Sequence, residues 1–108
     1  MVDLKEKKCE PCAEGTPPMN AEKIKDYKKN LSTGWQIIEN KKLFKQFPFE
    51  NFEQGMAFVN DVATIANQEN HHPDICISYS EVTIELTTHS VGGLSENDFI
   101  MAAKIDHV

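Results

Sequence analysis

The sequence predicts an α+β domain: a four-stranded antiparallel sheet with helices packed on one face, in the order α-β-β-α-β-β-α. Three observations carry that expectation. From Ile75 the odd positions Ile75, Ile77 and Tyr79 are apolar, and from Val82 the even positions Val82, Ile84 and Leu86 take over, which is the period of two strands. Between Asn51 and Glu69 the period becomes helical, with Phe52, Met56, Val59, Ala63 and Ala66 on one face and Phe58, Val62 and Ile65 widening it. The segments Trp35-Gln36-Ile37-Ile38 and Leu43-Phe44-Lys45-Gln46-Phe47 lie too close together for a parallel crossover, so they form a second hairpin, across Asn40-Lys41.

The remaining elements follow from local signals. Residues 1–18 hold Pro11, Gly15, Pro17 and Pro18 without periodicity and read as an extended arm ahead of a single domain spanning 19–108. A first helix runs from the N-cap Asn20 to about Leu31, with Ile24, Tyr27 and Leu31 on one side. Pro48 favours an edge position or an end for the second strand. The main helix has Asn51 as N-cap with Gln54 at its third position, and Asn70 with Pro73 stops it. After Gly92-Gly93, Ser95 and Asp98 form a capping box flanked by Leu94 and Phe99 as a hydrophobic staple, opening a last helix from Glu96 to about Asp106.

Composition bounds the function classes. A chain of 108 residues buries one core. Its net charge of −6 repels phosphate backbones, so direct nucleic-acid binding is not expected. No apolar run approaches a membrane span, and the start Met1-Val2-Asp3-Leu4-Lys5 lacks a signal-peptide stretch, so a cytoplasmic location is expected. Three cysteines suit a reducing compartment, and Cys9-Glu10-Pro11-Cys12 in the arm reads as unpaired thiols or occasional metal capture.

The chemistry-bearing residues are three of the four histidines: His71-His72-Pro73 before the second hairpin and His89 after it. Imidazole gives and takes protons near neutral pH. With Ser80-Glu81 at the turn, the hairpin pairs Tyr79 with Val82, Ile77 with Ile84 and Ile75 with Leu86, and sets His72 opposite His89 on the face of Cys76, Ser78, Thr83 and Glu85. Pro73 cannot donate to the ladder and ends it. Three histidines also suggest a zinc centre, but adjacent side chains on an extended segment point apart, so no metal is expected. His107, Glu69 and Asp74 read as helix-end or solvated charges.

His71-His72-Pro73, five residues, Tyr79, nine residues, His89, eight residues and Asp98 resembles the signature of the pterin-4a-carbinolamine dehydratases, and the likeness extends over roughly residues 17–106 through Gly34-Trp35 and Gly92 to Phe99. The resemblance implies removal of water from 4a-hydroxytetrahydropterin to give quinonoid dihydropterin, in tetrahydrobiopterin-type cofactor recycling, without metal or organic cofactor. It implies that His71 and His89 act as acid and base, that His72 positions the pterin, and that Asn67, Pro73, Thr87, Thr88 and Asp98 contact substrate. Members commonly carry an ionisable residue four before the first histidine, where this chain has Asn67. The resemblance further implies a homodimer or homotetramer. Its alternatives are a non-catalytic dimerisation or coactivator module and a relative acting on another, molybdopterin-related pterin.

Overall fold

The computed structural model describes residues 3–108; the first two residues of the arm lie outside the described residues. The order is α1 (Ala21–Lys28), β1 (Gln36–Ile38), β2 (Lys42–Pro48), α2 (Phe52–Glu69), β3 (Asp74–Ser78), β4 (Glu81–Leu86) and α3 (Glu96–Asp106), with short 3-10 turns at Leu4–Glu6 and His89–Val91. The four strands form one antiparallel sheet in the order β1-β2-β4-β3. This is the expected α+β architecture. Leu43, Val82, Ile84 and Leu86 are fully buried on one sheet face, where they meet Val62 and Ala66 of α2 and Phe99 to Ala103 of α3. No helix among the described residues is long and apolar enough to cross a membrane.

The caps fall where the side chains predict them. Asn20 accepts from the Lys23 N–H at 2.9 Å and Asn51 from the Gln54 N–H at 2.9 Å. The capping box of Ser95 and Asp98 opens α3 with Leu94 and Phe99 both fully buried. Helix α1 stops at Lys28 rather than Leu31, because the Asn30 and Leu31 N–H groups bond carbonyls only three residues back. The buried stripe of α2 runs through Gly55, Val62 and Ala66, so Phe52 is left 46% exposed in the first turn.

Both hairpins turn one residue earlier than expected. In the first, Glu39 and Asn40 take positive φ (52° and 57°) and the Lys41 N–H bonds the Ile38 carbonyl at 2.9 Å, the pattern of a type I′ turn. In the second, Tyr79 has φ 36° and is 70% exposed at the tip, so Ile77 faces Val82 and Ile75 faces Ile84. The pairing has slid by two residues, and the apolar face is preserved because side-chain parity survives an even slip. Consequently His72 is not opposite His89. The ladder ends at Asp74 with Glu85, and His89 lies beyond β4 in a 3-10 turn closed by Gly92 at φ 75°.

At its C-terminal end, α3 is tied to the sheet by a buried polar cluster. Asp106, whose side chain is 2% exposed, accepts from Trp35 Nε1 at 2.9 Å, Lys45 Nζ at 3.0 Å and the Ser32 N–H at 3.0 Å, while Lys45 Nζ lies 4.9 Å from the Phe47 ring centroid. Removing one partner from a buried ion pair leaves the other charge uncompensated. Asp106→Ala is expected to cost about 3–5 kcal/mol, read as a fall in the urea midpoint without a change in slope.

Candidate active site

The site begins where α2 ends. Asn70 adopts the left-handed conformation (φ 52°, ψ 40°), which asparagine tolerates better than most residues, and both its N–H and that of His71 turn back to the Ala66 carbonyl. The chain leaves the helix extended, so His71 and His72 point to opposite sides. His71 turns inward, its side chain 13% exposed, and its Nε2 lies 2.7 Å from Asp98 Oδ1. His72 turns outward to Asn67, with Nε2 to Oδ1 at 3.0 Å.

Asp98 is fully buried and accepts at both oxygens. Besides His71, it takes the Thr88 hydroxyl at 2.8 Å and the Ser95 N–H at 2.9 Å on Oδ2; Thr88 Oγ1 lies 2.7 Å from Ser95 Oγ. An ionised carboxylate only accepts, so His71 presents Nε2–H to Asp98 and keeps Nδ1 for other partners. The same carboxylate thus caps α3 and orients an imidazole. No buried side-chain nitrogen or oxygen among the described residues lacks a partner.

A cavity of about 220 Å³ opens beside this dyad, lined by His71, Thr88, Ser90 and Asn97, by Glu69 and Asn70 at the end of α2, and by the arm segment Cys9 to Cys12. His72 and His89 are exposed and lie outside that lining. His89 is flanked in the chain by two lining residues, Thr88 and Ser90. Thr87 points elsewhere: its hydroxyl donates to the Lys41 carbonyl at 2.6 Å and fastens the end of β4 to the first hairpin turn. Pro73 is half-buried just before β3. A larger cavity, about 800 Å³, lies between the arm, Tyr27 and the start of α3 and holds none of the histidines.

Glu69, expected in solvent, is instead a wall residue; its side chain is 11% exposed, accepts the Cys9 N–H at 2.8 Å and lies 3.8 Å from Lys104 Nζ. Burial, followed by the nearby Glu69 charge, pushes the Cys9 thiol up to about 12. The three cysteines are unpaired. Ser90 was not marked by any motif, and the Gly92–Phe99 stretch and Cys9-Glu10-Pro11-Cys12 gave no site role to Asn97 or to the arm. Asn97 was legible only as the neighbour of Asp98, and the arm's placement depends on contacts between residues some ninety positions apart.

The arrangement supplies one carboxylate-oriented imidazole, hydroxyl groups and a small polar cavity, which suits proton transfer on a compact ligand. The comparisons with known proteins agree with that scale of chemistry. The family model described as pterin 4 alpha carbinolamine dehydratase matches residues 17–108. A protein of Nitrosomonas eutropha named "Putative pterin-4-alpha-carbinolamine dehydratase" is 49% identical over 106 residues, covering 98% of this chain and 93% of its own, and one of the same name from Alkaliphilus metalliredigens is 43% identical over 98% and 96%. A solved structure, the transcriptional coactivator/pterin dehydratase from Brucella melitensis, superposes with a TM-score of 0.78 at 28% identity over 82% of this chain and 95% of that one. A pterin dehydratase-like protein identified as a RuBisCO assembly factor in the alpha-carboxysome gives 0.59 at 26% identity, over 68% and 87%. With the histidine spacing, the sheet order and a family match reaching from Pro17 to the final residue, this chain belongs to the pterin-4a-carbinolamine dehydratase family.

Proposed function

We propose that the chain dehydrates 4a-hydroxytetrahydropterin, and that His71 carries the central proton transfer. The observation behind this is the buried Asp98 carboxylate 2.7 Å from His71 Nε2 at the edge of a cavity. Hydroxide leaves poorly, so an acid protonates the 4a oxygen, the carbon–oxygen bond breaks with its electron pair leaving on water, and a base takes the proton from the adjacent ring nitrogen as a carbon–nitrogen double bond forms. The sum is loss of water with no change of oxidation state.

Two groups in opposite protonation states are needed. His71, with Nε2 engaged by Asp98, offers Nδ1; His89, whose flanking residues Thr88 and Ser90 line the cavity, is its proposed counterpart. His72, held by Asn67, is the proposed positioning group at the outer side, and Pro73 sets the chain's direction there. Thr88 and Asp98 act through His71. Recycling of a tetrahydrobiopterin-type cofactor, a cytoplasmic location and a dimeric or tetrameric state complete the reading.

The test is stopped-flow dehydration of synthetic 4a-hydroxytetrahydropterin with a chelator present. The expected result is turnover well above the spontaneous rate, undiminished by chelation. Turnover that disappears with the chelator and returns with zinc contradicts it. A second reading, a binding module, is favoured by the two structural relatives, one described as a transcriptional coactivator/pterin dehydratase and the other as a RuBisCO assembly factor; it requires that the histidines be dispensable.

A further inference from the structure

The arm forms part of the site. Besides the Cys9 bond to Glu69, Cys9 Sγ lies 3.6 Å from the Asn97 carbonyl, and the Asn97 side chain makes a reciprocal pair with the Glu10 backbone: the Glu10 N–H donates to Oδ1 at 3.1 Å and Nδ2 donates to the Glu10 carbonyl at 2.7 Å. Farther out, Lys7 Nζ lies 2.9 Å from Glu96, Lys104 Nζ donates to the Lys5 carbonyl at 2.8 Å, and Leu4 is 94% buried in the core. The inner fastenings fall on residues adjoining the dyad: Glu69 is two before His71, and Asn97 immediately precedes Asp98.

Walled by the arm on one side, the cavity holds about 220 Å³, below the roughly 300–1,000 Å³ usual for small-molecule sites. That space suits a flat bicyclic ring with little attached to it. We propose that the segment Cys9 to Cys12 is a size filter for the ring substituent, and that Asn97 is the positioning residue that holds the filter shut. The inference rests on the pterin reading above and adds to it which pterins are accepted: those with a short substituent are favoured, and a long one has to displace the strap.

The experiment uses the full chain and equilibrium fluorescence titration with 6-methyl-7,8-dihydropterin and 7,8-dihydrobiopterin, together with iodoacetamide labelling of Cys9 at pH 8. Asn97→Ala is expected to raise the affinity for the longer ligand relative to the shorter by about tenfold and to speed Cys9 labelling, because the thiol loses its cover. Glu69→Ala loosens the strap from the other side and provides the same ligand-ratio readout should Asn97→Ala fail to fold, and Glu69→Gln, which removes the same charge but keeps an acceptor for the Cys9 N–H, is expected to restore the original ratio and to label more slowly than Glu69→Ala. Faster labelling with an unchanged ligand ratio overturns the filter. Unchanged labelling in both alanine variants overturns the fastening. Because these readouts need no turnover, failure of the dehydration assay is distinguishable from failure of the filter.

Discussion

Replacing His71 with alanine is expected to lower kcat for carbinolamine dehydration by about 10²–10⁴-fold, the range spanned by general acid–base groups. The chain should remain folded. Asp98 then keeps two of its three partners, the Thr88 hydroxyl and the Ser95 N–H, and the stability cost is that of one buried polar group left short, about 1–3 kcal/mol. Stopped-flow rates beside a urea titration separate the two effects. His89→Ala is expected to act on kcat in the same way, and His72→Ala, on the exposed side with Asn67, to act chiefly on KM. A His71→Ala protein with unaltered turnover would remove His71 from the proposed proton transfer.

Asp98→Asn is the second large effect, and it acts on both stability and rate. The Ser95 N–H is a fixed donor aimed at Oδ2, and the His71 ring nitrogen meets Oδ1. An amide offers one acceptor oxygen and one donor nitrogen, so either orientation sets a donor against a donor or forces His71 into its other tautomer. Misorientation of this kind costs on the order of 10²-fold in rate. Asp98→Ala also deletes the capping box, leaves the Ser95 N–H unpartnered in the interior and reduces the Thr88 hydroxyl to its contact with Ser95 Oγ, so a loss of about 3 kcal/mol is expected. Measuring both variants by thermal melting and by kcat distinguishes them: asparagine should lose rate out of proportion to stability, whereas alanine should lose both.

The strands, helices and caps were legible because each rests on a local rule. Asn20, Asn51 and Ser95 cap the helices their spacing announces, and the alternation from Ile75 to Leu86 fixed which face is buried. Alternation does not fix which residue turns. Tyr79 at positive φ carries the tip, against its usual preference, and the resulting slide removed the expected opposition of His72 and His89. The opposite pointing of His71 and His72 follows from extended geometry and was legible in advance. Asp98 could be read as a cap; its bond to His71 depends on how α3 docks on α2, which no spacing encodes. The Thr87 bond to the Lys41 carbonyl and the Glu69 bond to the Cys9 N–H join segments far apart in the sequence and were not legible in it.

The most direct measurement is a crystal structure of the chain with 7,8-dihydrobiopterin. The account predicts the bicyclic ring in the cavity between Thr88, Ser90 and the arm, with its reacting edge at hydrogen-bonding distance from His71 Nδ1 and the His71–Asp98 contact intact. A pterin bound elsewhere, with His71 turned away from it, would contradict the account.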